Sequence, residues 1–338
     1  MPCNGCKDLY VAASFLLWQA KMWGLEFGAK SFLPNVPGST TQTFHEKLYV
    51  PDFAWKPGFR LSVGGYLPHD AWDIRASWTI YRDECTSLKK RFQQVLVPPG
   101  IGVMPLWQYP FLQISGDNTG NPIRYSNAFG NWKMHLDSID LELGRSFFPE
   151  QSIPMRLLMG AKLTFMRQKY VAEYDGGTTI LATLPQGGAP SLFQYVSSQF
   201  QLRSHQWGIG PRLGIESRWN MLWGFNLIGN GACSVLCSFF DLHSKFEDII
   251  QPTGQCTMSR SEKFHELTPI LEAMLGLDWG TCFCNGLYFG AQIGYEWQYW
   301  WAANHARRNY VQTLPGDTID MRGELQMHGL NAKVLFEY

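Results

Sequence analysis

The sequence predicts an all-β fold: a transmembrane antiparallel β-barrel of about ten strands, with short periplasmic turns and long extracellular loops. Three observations carry this. Apolar and polar residues alternate with period two through most of the chain. The stretches between alternating segments are long and short by turns. The last segment places Leu330, Ala332, Val334, Phe336 and Tyr338 on one face and ends on an aromatic.

The alternation is clearest over 72–81. Trp72, Ile74, Ala76, Trp78 and Ile80 share one face, and Asp73, Arg75, Ser77, Thr79 and Tyr81 share the other. Period two is the signature of a strand with one apolar side. Phe59, Leu61 and Val63 oppose Arg60, Ser62 and Gly64 in the same way. Trp207, Ile209, Pro211, Leu213 and Ile215 oppose Gly208, Gly210, Arg212, Gly214 and Glu216. Leu287, Phe289, Ala291, Ile293, Tyr295 and Trp297 oppose Gly290, Gln292, Gly294, Glu296 and Gln298. Residues 9–28, 131–144, 155–174, 224–240 and 265–279 alternate less regularly. The apolar parity changes near Asp137–Ser138 and again near Gly329, and a β-bulge is expected at each.

The connections supply topology. Long stretches at 29–43, 83–130, 175–198, 241–263 and 304–321 alternate with short ones at 67–71, 148–154, 218–222 and 280–286. Short periplasmic turns and long outer loops are the pattern of an outer-membrane barrel. The count is ten strands, or twelve if a long connection hides a hairpin, in a single barrel domain covering 1–338. Both ends then lie on the periplasmic side.

Composition agrees. The chain is 338 residues with 28 basic and 28 acidic side chains, so nothing marks it for nucleic acid. Only 17% of residues are charged, while 15% are aromatic and 14 are Trp. Trp favours boundaries that are apolar on one side and wet on the other. No stretch approaches the roughly 18 apolar residues of a transmembrane helix, so a membrane-spanning chain of this kind must satisfy its backbone in lipid as a closed barrel. Trp72, Trp219, Trp223, Trp279 and Tyr338 are candidates for a periplasmic aromatic girdle, and Trp78, Trp132 and Trp207 for an outer one. A soluble sandwich or lipocalin-like barrel also alternates, but a polar face crowded with Gly and both signs of charge suits a lumen better. The start, Met1-Pro2-Cys3-Asn4-Gly5-Cys6, lacks the layout of a signal peptide. The expectation is that the numbering describes a processed chain.

Several segments, in order, resemble the Legionella-type major outer membrane protein family, pore-forming barrels also common in chlamydia-like bacteria. They are Lys56-Pro57-Gly58-Phe59-Arg60, Trp72-Asp73-Ile74 with Ser77-Trp78-Thr79, and Asp140-Leu141-Glu142-Leu143-Gly144-Arg145. Further on come Gly208-Ile209-Gly210-Pro211-Arg212-Leu213-Gly214, His265-Glu266-Leu267-Thr268-Pro269, Gly294-Tyr295-Glu296-Trp297-Gln298 and Met327-His328-Gly329-Leu330. The resemblance implies a porin-like pore in the Gram-negative outer membrane. The terminal segment, Leu330 to Tyr338, also resembles the signal read by the barrel-assembly machinery, an expected partner together with outer-membrane lipid.

Of the eight cysteines, Cys3, Cys6, Cys85, Cys256, Cys282 and Cys284 are disulfide candidates, because the compartment is oxidising. Cys3, Cys6, Cys282 and Cys284 fall on the periplasmic side of the topology, and Cys85 and Cys256 in outer loops. This resembles the cysteine-linked envelope of chlamydial organisms and suggests other cysteine-rich envelope proteins as partners. Cys233 and Cys237 share a face of one strand. Four residues apart, at roughly 13 Å, they cannot bond each other.

Chemistry is not indicated. Neither a G-x-S-x-G elbow nor an H-E-x-x-H pair occurs, and the Gly208/Gly210/Gly214 spacing is not a dinucleotide fingerprint. No cofactor, metal or catalytic residue is expected. If the polar faces line a lumen, its wall carries Arg60, Arg75, Lys133, Lys162, Arg212, Glu216, Glu272, Asp278, Glu296 and Lys333. Charges of both signs around a pore select solutes by charge and size. The expected function is passive diffusion of small hydrophilic solutes. The alternative is a structural, disulfide-cross-linked envelope or surface-contact protein with a narrow or filled barrel, since a small barrel leaves room for little beyond its own side chains.

Overall fold

A computed structural model describes residues 9–32, 45–67, 70–86, 90–91, 102–109, 111, 113–114, 123–150, 153–183, 191–221, 224–283, 287–309 and 318–338. Ten long strands form the wall: β1 (Leu9–Met22), β2 (Trp55–Tyr66), β3 (Trp72–Thr86), β4 (Tyr125–Glu150), β5 (Ile153–Gly177), β6 (Ser191–Asn220), β7 (Phe225–Gln251), β8 (Gly254–Cys282), β9 (Tyr288–Asn309) and β10 (Thr318–Glu337). Each pairs antiparallel with its sequence neighbours. Pairing of β1 with β10, from Tyr10↔Glu337 to Met22↔Leu325, closes the ring and leaves no edge in lipid.

The strands are longer than their predicted cores. The expected long connection at 241–263 is largely strand. Pairing continues from Asp241↔Lys263 to Ile250↔Gly254, so β7 and β8 rise as a hairpin turned at Pro252 and Thr253.

Neither expected bulge exists. The β4 register runs unshifted past Asp137 and Ser138 against both β3 and β5, and the β10 register runs unshifted past Gly329. What changes is the medium. Below Ser138 the outward residues of β4 are Ile139, Leu141 and Leu143, and the buried inward ones are Ser138, Asp140 and Glu142. Above it the buried inward residues are Trp132, Met134 and Leu136, while Lys133, His135 and Asp137 face out. β10 behaves alike: Leu330 to Tyr338 face out below Gly329, whereas Leu325 and Met327 face in above it. The wall therefore leaves the membrane part-way along each strand. From there the outside is wet and the inside is an apolar core.

The lipid-facing band is consistent with this. On β5, outward Leu157, Met159 and Phe165 are exposed, and the outward row turns polar at Arg167. That length matches the roughly 9–11 residues of a tilted spanning strand. Trp219, Trp279 and Tyr338 are exposed at the periplasmic end, and Trp78 and Trp207 toward the outer end. Trp132 departs from its expected place in the outer girdle. It is fully buried, facing inward, because it lies above the level at which the inside becomes the apolar side. Trp223 lies outside the described residues.

Among the described residues the register shifts at three places in the wall, at Ile153–Met155 on β5, at Tyr195–Ser197 on β6 and at Trp300–Asn304 on β9. Within the last, Ala302 takes a φ of 49°. That shift inserts two residues and so keeps Asn304 on the inward side, with Trp300 and Gln298, where its Nδ2 donates to the Trp23 carbonyl at 3.0 Å.

Candidate functional site

The interior has two storeys. The lower one, at membrane level, is polar. Alternation aims charged side chains of facing strands at one another, and they close into a lattice. Arg60 of β2 donates from Nη1 and Nη2 to the two carboxylate oxygens of Glu296 on β9, at 3.0 and 2.8 Å. Arg156 of β5 grips Asp73 of β3 with the same two-pronged geometry, at 2.8 and 2.7 Å. Arg75 donates from Nε to Glu142 at 2.8 Å and also pairs with Glu216. Lys162, almost wholly buried, sits between Asp140 at 2.7 Å and Glu272 at 2.8 Å. Arg212 joins Glu142 at 3.0 Å to Glu272, and Arg218 meets Asp278 at 3.2 Å. Two-pronged Arg–carboxylate pairs are the strong, orientation-fixing kind, and mutual pairing offsets the cost of removing so many charges from bulk water.

Of the expected lumen residues, Arg60, Arg75, Lys162, Arg212, Glu216, Glu272, Asp278, Glu296 and Lys333 all face the interior. Lys133 does not: it faces outward above the membrane and pairs with Glu84. The supposed parity change misplaced it. Holding one parity through β4 rejects Lys133 and selects Asp140 and Glu142, which are not among the expected lumen residues. Nor are Asp73, Arg156 and Arg218, although Asp73 falls on a polar face.

Two small polar cavities lie in the lower storey; a larger one, of about 600 Å³, lies higher in the wall between Met166, Gln206, Phe240 and Phe264. The first of the small pair, of about 110 Å³, lies within the lattice, lined by Arg60, Arg75, Glu216, Glu296, Asn331 and Lys333 among others. A second, of about 260 Å³, opens lower, between Tyr10, Tyr66, Asp73, Arg156 and Arg218. They share Arg75, Glu216, Asn230, Gln292 and Lys333, so they adjoin one another. Both are smaller than the roughly 300–1,000 Å³ of a typical ligand cleft. Lys333 makes no ion pair among the described residues, which leaves its ammonium to the cavities.

The upper storey is closed by chain folded inward from two outer connections. Residues 28–32 form a small sheet with 45–49 and 104–105. Trp107, fully buried, stacks on Phe200 of β6 at 4.6 Å and meets Tyr170 of β5 edge-on at 5.7 Å. Its Nε1 donates to the Glu26 carbonyl at 2.7 Å. Tyr170 donates to the Leu25 carbonyl at 3.0 Å, and Tyr174 to that of Phe27. Tyr109 packs on Phe246 of β7, and Arg308 of β9 lies over the Trp107 ring at 4.7 Å. Only chain inside the ring can touch inward side chains of β5, β6, β7 and β9 together. The two storeys meet where Arg60 lies under the Trp18 ring at 5.6 Å.

The remaining expectations concern cysteines and the terminal strand. Cys85 and Cys256, taken as disulfide candidates, are free thiols. Cys85 is buried and donates to Asp83 at 3.0 Å, so it is turned into the barrel rather than displayed on a loop. Cys256 belongs to the β7–β8 hairpin. Cys282 is disulfide-bonded; Cys3, Cys6 and Cys284 lie outside the described residues. In the terminal strand, Leu330, Ala332, Val334, Phe336 and Tyr338 face lipid.

A closed ten-stranded ring with a lipid-facing apolar band and a polar interior defines an outer-membrane β-barrel. The family model described as Legionella pneumophila major outer membrane protein precursor matches residues 1–334. The chain belongs to that family, and it is an outer-membrane protein. No curated protein matches it significantly. Among solved structures it is similar to the outer membrane protease OmpT from Escherichia coli, at 10% identity over 99% of this chain and 98% of that one, with a TM-score of 0.36. It is also similar to a major outer membrane protein from Thermus thermophilus, at 10% identity over 97% and 99%, TM-score 0.28. The toluene transporter TodX of P. putida matches at 7% identity over 98% and 89%, TM-score 0.25.

Proposed function

We propose that this barrel is a narrow, plugged channel for passive diffusion of small hydrophilic solutes. The observation that carries the reading is the adjoining pair of polar cavities, one toward the periplasmic end and one within the charged lattice, both below the inward-folded segment around Trp107. A purely structural barrel has no need of adjoining polar cavities lined by a lysine without an ion pair among the described residues. Conduction requires the plug to shift, because the cavities do not continue through the aromatic storey. Lys333 then biases the path toward anions.

The filled interior favours a second reading, a structural barrel whose outer hairpins are the working surface. Liposome swelling separates the two. Proteoliposomes of folded protein should swell in sugars up to about the size of a pentose and slow steeply with larger ones. Absence of swelling in every solute, with the barrel folded, overturns the channel reading in favour of the structural one.

A further inference from the structure

The outer wall above the lipid band carries a patch that the lumen does not explain. β5 and β6 pair Arg167↔His205 and, one row higher, Lys169↔Arg203. Arg167, Lys169 and Arg203 are all exposed and face outward. Like charges directly opposite across two strands repel, so Lys169 and Arg203 destabilise this pairing unless an anion lies between them.

The surrounding carboxylates are already engaged elsewhere. Asp137 is held by Arg82 at 2.8 Å, Glu84 by Lys133, and Asp241 by Lys263 at 3.1 Å. Among the described residues, Arg167, Lys169 and Arg203 have no carboxylate within ion-pair distance. Directly below them, two residues down the strands or roughly 7 Å, lies an aromatic row. Phe165 pairs with Trp207, and Trp207 stacks on Phe239 at 4.4 Å. All three are exposed. Such rings mark the boundary between acyl chains and headgroups.

From this layering we propose that Arg167, Lys169 and Arg203 form a site for the phosphorylated sugar headgroup of an outer-leaflet glycolipid, with its acyl chains along Phe165, Trp207 and Phe239. The strand ends place the patch on the outer side, where the periplasm-facing turns are remote. A phosphate is the anion that suits it: Arg offers a planar fork and Lys a point charge, and both bind phosphate oxygens. The apolar row below supplies what a free anion lacks, a surface for chains. The proposal is independent of whether the lumen conducts.

The test is native mass spectrometry of the full-length folded barrel with a diphosphoryl glycolipid carrying its acyl chains. Comparators are its dephosphorylated form, and inorganic phosphate alone. The variant is R167Q/K169Q/R203Q, whose exposed side chains leave the fold intact; heat-modifiable migration on gels verifies that. The wild type should retain the diphosphoryl lipid at least about tenfold better than the dephosphorylated form, and the variant should lose that preference. K245Q, on the neighbouring strand and paired with Glu247 at 2.8 Å, should keep it. Equal retention by the folded variant overturns the site. So does equal retention of the dephosphorylated lipid. Displacement of the lipid by millimolar inorganic phosphate also overturns it, reducing the patch to an unspecific anion surface.

Discussion

Arg60 and Glu296 meet in a two-pronged ion pair at 2.8 and 3.0 Å, although β1 and β10 separate their strands in the ring. The pair is a chord across the lumen rather than a rung of the wall. Asn331 of β10 also donates to Glu296, at 2.9 Å, tying the chord to the closing strand.

Breaking that chord on one side should cost more than removing it whole. R60A leaves the Glu296 carboxylate buried without its cation, a loss of about 3 kcal/mol. R60M/E296M removes both charges and should cost less than the sum of the single changes. Urea unfolding in detergent micelles, arranged as a double-mutant cycle, measures this. Strict additivity would show that the pair does not couple.

Gly210 and Gly231 make a contrast on adjacent strands. A Cβ on Gly210 would collide with the Val235 carbonyl oxygen, whereas one on Gly231 meets nothing within 4 Å. G210A should therefore force β6 from β7 and destabilise by roughly 1–3 kcal/mol, with G231A near neutral. The same unfolding measurement checks it. Equal effects would contradict the close approach at Gly210.

Asp248 sits above the membrane level, fully buried, with Gln108 of the plug and Ser198 of β6 as polar neighbours and Tyr125 and Tyr195 nearby. It makes no ion pair among the described residues. Burial pushes its pKa from 3.8 up to about 7. A raised carboxylate binds its proton more tightly when folded, so stability falls as pH rises from about 4 to about 7 and then levels off. The plug should thus be tightest in mild acid and loosen toward a pH of about 8. Chymotryptic cleavage at Trp107, followed from about pH 5 to about pH 8 and normalised to an unfolded substrate, should accelerate, and D248N should flatten the profile. An unchanged profile in D248N would assign the pH dependence elsewhere.

Cys233 and Cys237 are free, exposed and on the lipid face of β7. In membranes, a lipid-soluble maleimide should label both, and a sulfonated, water-confined one neither. Rapid labelling by the charged reagent would remove β7 from the lipid-facing wall.

The ring was legible because lipid and lumen impose opposite preferences on alternate residues. Arg60, Arg75, Arg212 and Glu296 face inward for that reason. Lys133 shows the limit of the rule. Above the membrane the preferences reverse without any change in backbone, and a reversal of pattern looks like a bulge when only letters are read. The register shift at Trp300–Asn304 left no such mark, because it inserts two residues and so preserves the alternation. The plug was illegible for another reason. Trp107 lies in a stretch of no regular period, and its place is fixed by Phe200 and Tyr170, far away in sequence.

A lumen held shut by that plug should open when the plug is loosened. Single-channel recording of the folded wild type beside W107A tests this most directly. Loss of the ring removes roughly 3–5 kcal/mol of packing, so openings should be rare and brief in the wild type and frequent and long in W107A, of similar unit size. Silence from both proteins in bilayers that demonstrably contain folded barrel would contradict a plugged channel.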